Sequence, residues 1–186
     1  PDVASIPTFS MVHYPKSAMV KAAKHMRHRG GIPSPDTRRA FRKYFEMNLT
    51  SMSMARYLLR AAGLSNAQRI LFVDAALPQA ADYQSVVTLL GLKQLRGSEC
   101  HVLHPVDYVY RRSRRATSHL YGRGFGYTRL LDQDLCSSTE RHGTIPTLSD
   151  FDAIIVGSIS RNSNEATALL SQFPPERTIG FMEKTP

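Results

Sequence analysis

The sequence predicts an α/β protein, a Rossmann-like parallel sheet of about four strands behind a helical, basic N-terminal extension. Three observations predict it. Short continuous apolar runs, Ile70-Leu71-Phe72-Val73 above all, have the composition of strands buried on both faces. A helix-length stretch, Asp82–Leu95, separates the first two runs, which is the spacing of a β-α-β crossover. The net charge of +9 sits at one end: residues 1–68 hold 11 Lys/Arg against Asp2, Asp36 and Glu46 (+8), while residues 69–186 hold 13 against 12 acids (+1).

Composition excludes several classes. With 42% apolar and 21% charged residues the chain is globular rather than disordered. No window approaches the ~18 uninterrupted apolar residues of a membrane span. No basic start with an apolar core behind it marks a secretory leader, so none is expected. Cys100 and Cys136 are far apart and have no CxxC partner, which excludes a disulfide scaffold and a zinc ribbon and points to a reducing, cytoplasmic setting.

Residues 1–15 lack periodicity and carry Pro7 and Pro15, the pattern of an extended arm. Lys16–Arg29 places Met19, Ala22, Ala23 and Met26 at helical spacing, and Gly30-Gly31 stops that helix. Ser34-Pro35-Asp36 restarts one: a capping serine, a first-turn proline and an acid facing the dipole. Phe41, Phe45, Leu49, Met52, Ala55 and Leu59 carry it to about Ala62, with a break near Asn48–Ser51. Arg69–Val73 is then the first strand. Asp82–Leu95 is a helix with Val86, Val87, Leu89, Leu90 and Leu92 inward, and Gly97 closes it. Glu99–Leu103 is the second strand. His104–Ser149 is irregular and long enough to require a helix and a functional loop. Phe151–Val156 is the third strand, turning at Gly157-Ser158, and Asn164–Gln172 is a short helix. Arg177–Met182 is the fourth strand. The chain thus divides into a basic helical extension, 1–68, and a Rossmann-like α/β domain, 69–186. The domain's sheet is expected to be unfinished, and to be completed by a missing C-terminal domain or a second chain in an oligomer.

Ligands of open α/β sheets bind at the carboxyl ends of the strands. Three segments fall there: Asp74–Tyr83, His104-Pro105 and Gly157–Asn164. The first has no glycine, so it has neither the dinucleotide fingerprint nor a methyltransferase cofactor loop, and no cofactor is expected. Asp74 and Asp82 are the candidate acids for deprotonating a substrate, although Asp82 equally suits a helix cap. The strand ending in Asp74 also invites comparison with bacterial receiver domains. Gly157 stands where the phosphoacceptor aspartate would align, and glycine accepts no phosphate. Gly157, Ser158 and Ser160–Asn164 lead into a helix N-terminus, with Arg161 as the side chain for an anionic ligand and Ser163 or Asn164 as an ordinary cap. Gly122, Gly124 and Gly126 match no phosphate-loop spacing. A turn is their ordinary reading, but Arg123 and Gly124 present guanidinium and backbone N–H groups to an anion. Arg111–Arg115 interleaves with Tyr108, Tyr110, Tyr121, Phe125 and Tyr127 as base-stacking surfaces do, without an RNP-type motif. His25 and His28 lack a third ligand, so no metal is expected, and no G-x-S-x-G elbow supports a serine triad.

Several of these segments together resemble a loosely characterised group of bacterial proteins related to two-domain glycosyltransferases. They are Asp82-Tyr83, Gly91-Leu92, Leu120-Tyr121-Gly122-Arg123-Gly124-Phe125 with Tyr127-Thr128, and Phe151-Asp152 running to Gly157-Ser158-Ile159. The similarity covers about 69–186 and is most distinctive at Tyr121–Phe125. It implies the N-terminal Rossmann-like domain of a glycosyltransferase-type fold, with the acceptor against this domain and the nucleotide-sugar donor held mainly by a second domain. It carries over no catalytic residue. The expected function is therefore the acceptor side of an enzyme transferring sugar from a nucleotide-activated donor, with Asp74 or Asp82 as base and Arg123 and Arg161 on phosphate. The alternative is a non-enzymatic module whose residues 1–68 dock nucleic acid or an acidic protein.

Overall fold

The computed structural model describes residues 34–80 and 82–181. The expected arm 1–15, the helix 16–29 and the last residue of the expected fourth strand lie outside the described residues. In chain order the elements are α1 (Pro35–Asn48), α2 (Ser51–Ala61), β1 (Ile70–Val73), α3 (Tyr83–Arg96) and β2 (Cys100–Val102). There follow α4 (Ser138–His142), β3 (Ala153–Ser158), α5 (Ser163–Leu170) and β4 (Thr178–Phe181).

The four strands form one parallel sheet in the order β2-β1-β3-β4. Ile70 lies opposite both Cys100 and Ala153, and Ile154 lies opposite Thr178. One face presents Ile70, Phe72, Ala153 and Ile155 to Leu59 of α2 and to Val86, Leu89 and Leu92 of α3. The other presents Leu71, Val73, Ile154 and Val156 to Ala166 of α5, with Phe151 and Phe173. Both faces of the central strands are covered, which is why they read as unbroken apolar runs rather than as an alternation.

The helical extension breaks where its sequence predicts. Thr50 ends the gap: its Oγ1 accepts a hydrogen bond from the Ser53 N–H at 3.1 Å and starts α2. On α1, Arg38, Arg39, Arg42 and Lys43 are all exposed. By contrast α2 buries Ala55 and Leu59 in the main core. It meets α3 at Gly91, where an added Cβ would stand 2.0 Å from the Ser51 carbonyl oxygen. Only a residue without a side chain allows the two backbones that close.

The third strand differs from its expected span. It starts at Ala153 and continues through Gly157 and Ser158, so these are strand residues and not the turn. Asp152 sets this register from outside the strand. Its Oδ2 accepts from the Gln68 and Arg69 N–H groups at 2.8 and 2.9 Å, fixing the start of β1 beside that of β3. Pairing then runs on to Ser158 opposite Phe181 across an irregularity.

Most of 104–149 is neither helix nor strand. It holds short 3₁₀ turns and the five-residue α4, whose Ser137 and Glu140 form a capping box. Buried polar contacts secure it. Lys93 of α3 is 0% exposed and pairs with Glu140, and its Nζ also donates to the Leu135 carbonyl at 3.1 Å. Glu140 further accepts from the Tyr110 hydroxyl at 2.6 Å. Burial pushes the nearby Cys100 thiol up to about 12.

Candidate functional site

The strand order fixes where a ligand crevice opens. The chain leaves β1 towards β2 and leaves β3 towards β4, so the carboxyl ends of β1 and β3 flank a topological switch point. Asp74 follows β1 directly, and Gly157 and Ser158 end β3. Asp82 caps α3: its Oδ1 accepts from the Gln84 and Ser85 N–H groups at 2.7 and 3.0 Å. That geometry confirms its capping role and leaves Oδ2 for Arg161.

Arg161 joins the two carboxylates. Its guanidinium donates to Asp82 Oδ2 at 2.8 Å and lies 3.7 Å from Asp74 Oδ2. The side chain of Arg161 is 29% exposed, that of Asp82 20% and that of Asp74 0%. Of the two acids, Asp82 is therefore the one solvent reaches. Asp74 is held from inside: Oδ1 accepts from the Ala76 N–H and from Asn162 Nδ2, both at 3.2 Å. Its Oδ2 has no hydrogen bond among the described residues. Gly157 makes room for that carboxylate, since a Cβ there would stand 2.1 Å from Asp74 Oδ2. Ser158 is buried, and its hydroxyl pairs with that of Ser160 at 2.9 Å.

Asn162 organises this cluster and was not singled out by its sequence. It occupies the cap position of α5 in place of Ser163 or Asn164 and turns its side chain inward. Its Oδ1 accepts from the Ala75 N–H at 2.7 Å, and its Nδ2 also donates to the Ser158 carbonyl at 2.7 Å. The loops after β1 and β3 are thereby tied by one amide. The available signal was its place five residues after a strand glycine, at the mouth of a helix. At the end of β2, His104 Nε2 lies 2.8 Å from Glu165 Oε1 of α5, a pairing invisible in the sequence because 61 positions separate the partners.

The structure brings together Asp74, Asp82, Gly157, Ser158 and Arg161. Arg123 and Gly124 stand on a separate loop that borders the cluster. Tyr83, next to Asp82, meets Tyr127 edge to face at 5.5 Å, and an added Cβ on Gly126 would stand 3.2 Å from the Tyr83 hydroxyl oxygen. Arg115 reaches the β1 loop through Gln79 at 3.4 Å. Tyr108 donates its hydroxyl to the Leu77 carbonyl at 2.9 Å, and burial raises its pKa.

Chemically, two carboxylates against one guanidinium make the cluster net negative. A guanidinium that already spans two carboxylates is poorly placed for phosphate, which needs unpaired donors. Carboxylate oxygens with remaining lone pairs suit hydroxyl donors instead. Among the described residues no group of three His, Cys, Asp or Glu side chains is placed to hold a metal, and no helix is long and apolar enough to cross a membrane. Comparison with protein-family models, with curated proteins and with solved structures finds no match.

Proposed function

We propose that this chain is the acceptor-side domain of a sugar transferase and that its crevice takes a hydroxyl-rich acceptor. One observation carries the reading. A carboxylate-rich cluster, bridged by Arg161, stands at the switch point of a parallel sheet, where polar ligands of such folds bind. In this reading an acceptor hydroxyl donates to Asp82, which removes its proton as the oxygen attacks the anomeric carbon of the donor. The bond from that carbon to the donor phosphate breaks, and a nucleoside diphosphate leaves with the electron pair. Arg161 holds the Asp82 carboxylate in place, and buried Asp74 with Asn162 positions Arg161. The role first expected for Arg161, contact with phosphate, passes to other arginines. A second domain or chain completes the donor site.

The test is saturation-transfer NMR of the full chain against neutral mono- and disaccharides and the matching sugar 1-phosphates. Neutral saccharides are expected to bind, and Asp82→Asn to weaken them about tenfold, equivalent to ~1.4 kcal/mol. Binding of the phosphates alone, or an Asp82→Asn variant indistinguishable from wild type, overturns the reading.

A further inference from the structure

Residues 111–131 contain six arginines and no acid. Arg111 is engaged with Asp132 at 2.6 Å and Arg115 with Gln79. Arg112, Arg114, Arg123 and Arg129 are exposed, and the structure gives none of them an ion pair among the described residues. The two large apolar side chains most exposed among the described residues lie in the same segment: Tyr121 at 72% and Phe125 at 85%. They bracket Arg123.

Among the described residues the side chains of Tyr121, Arg123 and Phe125 make no hydrogen bond, ion pair or ring contact, so packing does not hold them in place. The turn that presents these three side chains is tightly built. Gly122, Gly124 and Gly126 all have positive φ, and so does Arg123 (φ 55), a conformation that costs free energy in a residue with a side chain. The turn is braced from below. The Tyr127 hydroxyl donates to the Tyr121 carbonyl at 2.5 Å, and the Thr128 hydroxyl donates to the Gly124 carbonyl at 2.9 Å. A Cβ on Gly124 would stand 2.6 Å from Thr128 Cγ2, so no other residue fits there without displacement. Strain and bracing together hold a cation and two aromatic faces out in water, beside Tyr83 and the Asp82–Arg161 pair.

We propose that this turn is a nucleotide site, with Arg123 taking the phosphates of a nucleoside diphosphate and Phe125 stacking on its base. Charge complementarity selects an anion, and the exposed rings select one that carries a flat apolar face. The turn offers one exposed cation between two exposed rings, which suits a single nucleotide rather than a strand. The proposal rests on the transferase reading only in taking this nucleotide to be the donor's leaving half.

Calorimetric titration of the full chain with UDP, ADP and inorganic pyrophosphate tests it, using wild type, Arg123→Ala, Phe125→Ala and Asp82→Asn. Saturable binding of UDP or ADP is expected, weakened about tenfold by Arg123→Ala and about fivefold by Phe125→Ala. Pyrophosphate binding should respond to Arg123→Ala but not to Phe125→Ala, and Asp82→Asn should leave the nucleotide unaffected. Arg123 and Phe125 are exposed, so unchanged thermal melts are expected to show that their variants fold. No saturable binding, or equal affinity in wild type and both loop variants, overturns the proposal. So does a short oligouridylate that binds far more tightly than UDP with a steep salt dependence, which marks an RNA surface. Nucleotide binding lost only in Asp82→Asn puts the nucleotide in the crevice, which also overturns it. Nucleotide binding that persists where no saccharide binds overturns the transferase reading alone.

Discussion

At Gly157 an added methyl would share space with the buried carboxylate of Asp74, so the two positions form one unit. Gly157→Ala is expected to destabilise the fold by about 1–3 kcal/mol through overpacking. Removing the carboxylate as well should relieve it: in urea denaturation, Gly157→Ala with Asp74→Ala should cost clearly less than the sum of the two single changes. Strict additivity would show that the close approach is not what Gly157 is for. The coupling was not legible in the sequence. The pattern places both residues at strand ends, but their contact depends on β3 continuing past Val156. Asn162 is hidden for a related reason, because a cap position is defined only once the helix start is known, and α5 starts one residue earlier than its pattern suggests.

Among the elements, α3 shows where periodicity succeeds and where it misleads. Of its expected inward face, Val86, Leu89, Leu90 and Leu92 are buried, while Val87 is half-buried at the edge of the core. Lys93 belongs to no apolar stripe, yet it lies wholly inside, paired with Glu140, which also accepts from the Tyr110 hydroxyl and so ties α3 to the 104–149 segment. Removing one partner of a buried pair strands the other charge. Lys93→Met should therefore cost about 3–5 kcal/mol, and Lys93→Met with Glu140→Gln should recover part of that in the same denaturation assay. If Lys93→Met alone proves neutral, the pair does not hold the segment in place. Within 104–149 the Ser137-x-x-Glu140 spacing was the one local signal for α4. Nothing local announced that the same glutamate is bound by a lysine 47 positions away.

For the molecule as a whole, the parallel sheet was legible because burial on both faces leaves an unambiguous apolar run, as at Ile70–Val73. Its behaviour in acid follows from two groups at its margins. Burial holds His101 below its ordinary value of 6.5, and hydrogen bonds from the Arg69 and Gln68 N–H groups hold Asp152 below 3.8. In both cases the unfolded chain binds the proton more readily, so stability is fully present above those values and is lost as pH falls below them. The thermal midpoint should decline first as pH drops past 6.5, and His101→Gln should flatten that first decline. An Asp152→Asn variant should be less sensitive only in the second, more acidic window. A wild-type midpoint constant across the first window would remove His101 from the account.

The notch at Gly91 has a consequence for how the protein opens and closes. Backbone-to-backbone contact between α2 and α3 cannot loosen by degrees, since a small separation removes the packing of Ala55 and Leu59 at once. Amide exchange in α2 should accordingly slow together with that of the sheet, while α1, exposed along its basic side, exchanges early. The unit that unfolds cooperatively then begins at the Thr50 cap, well before the first strand, and the α/β core and its second helix melt as one.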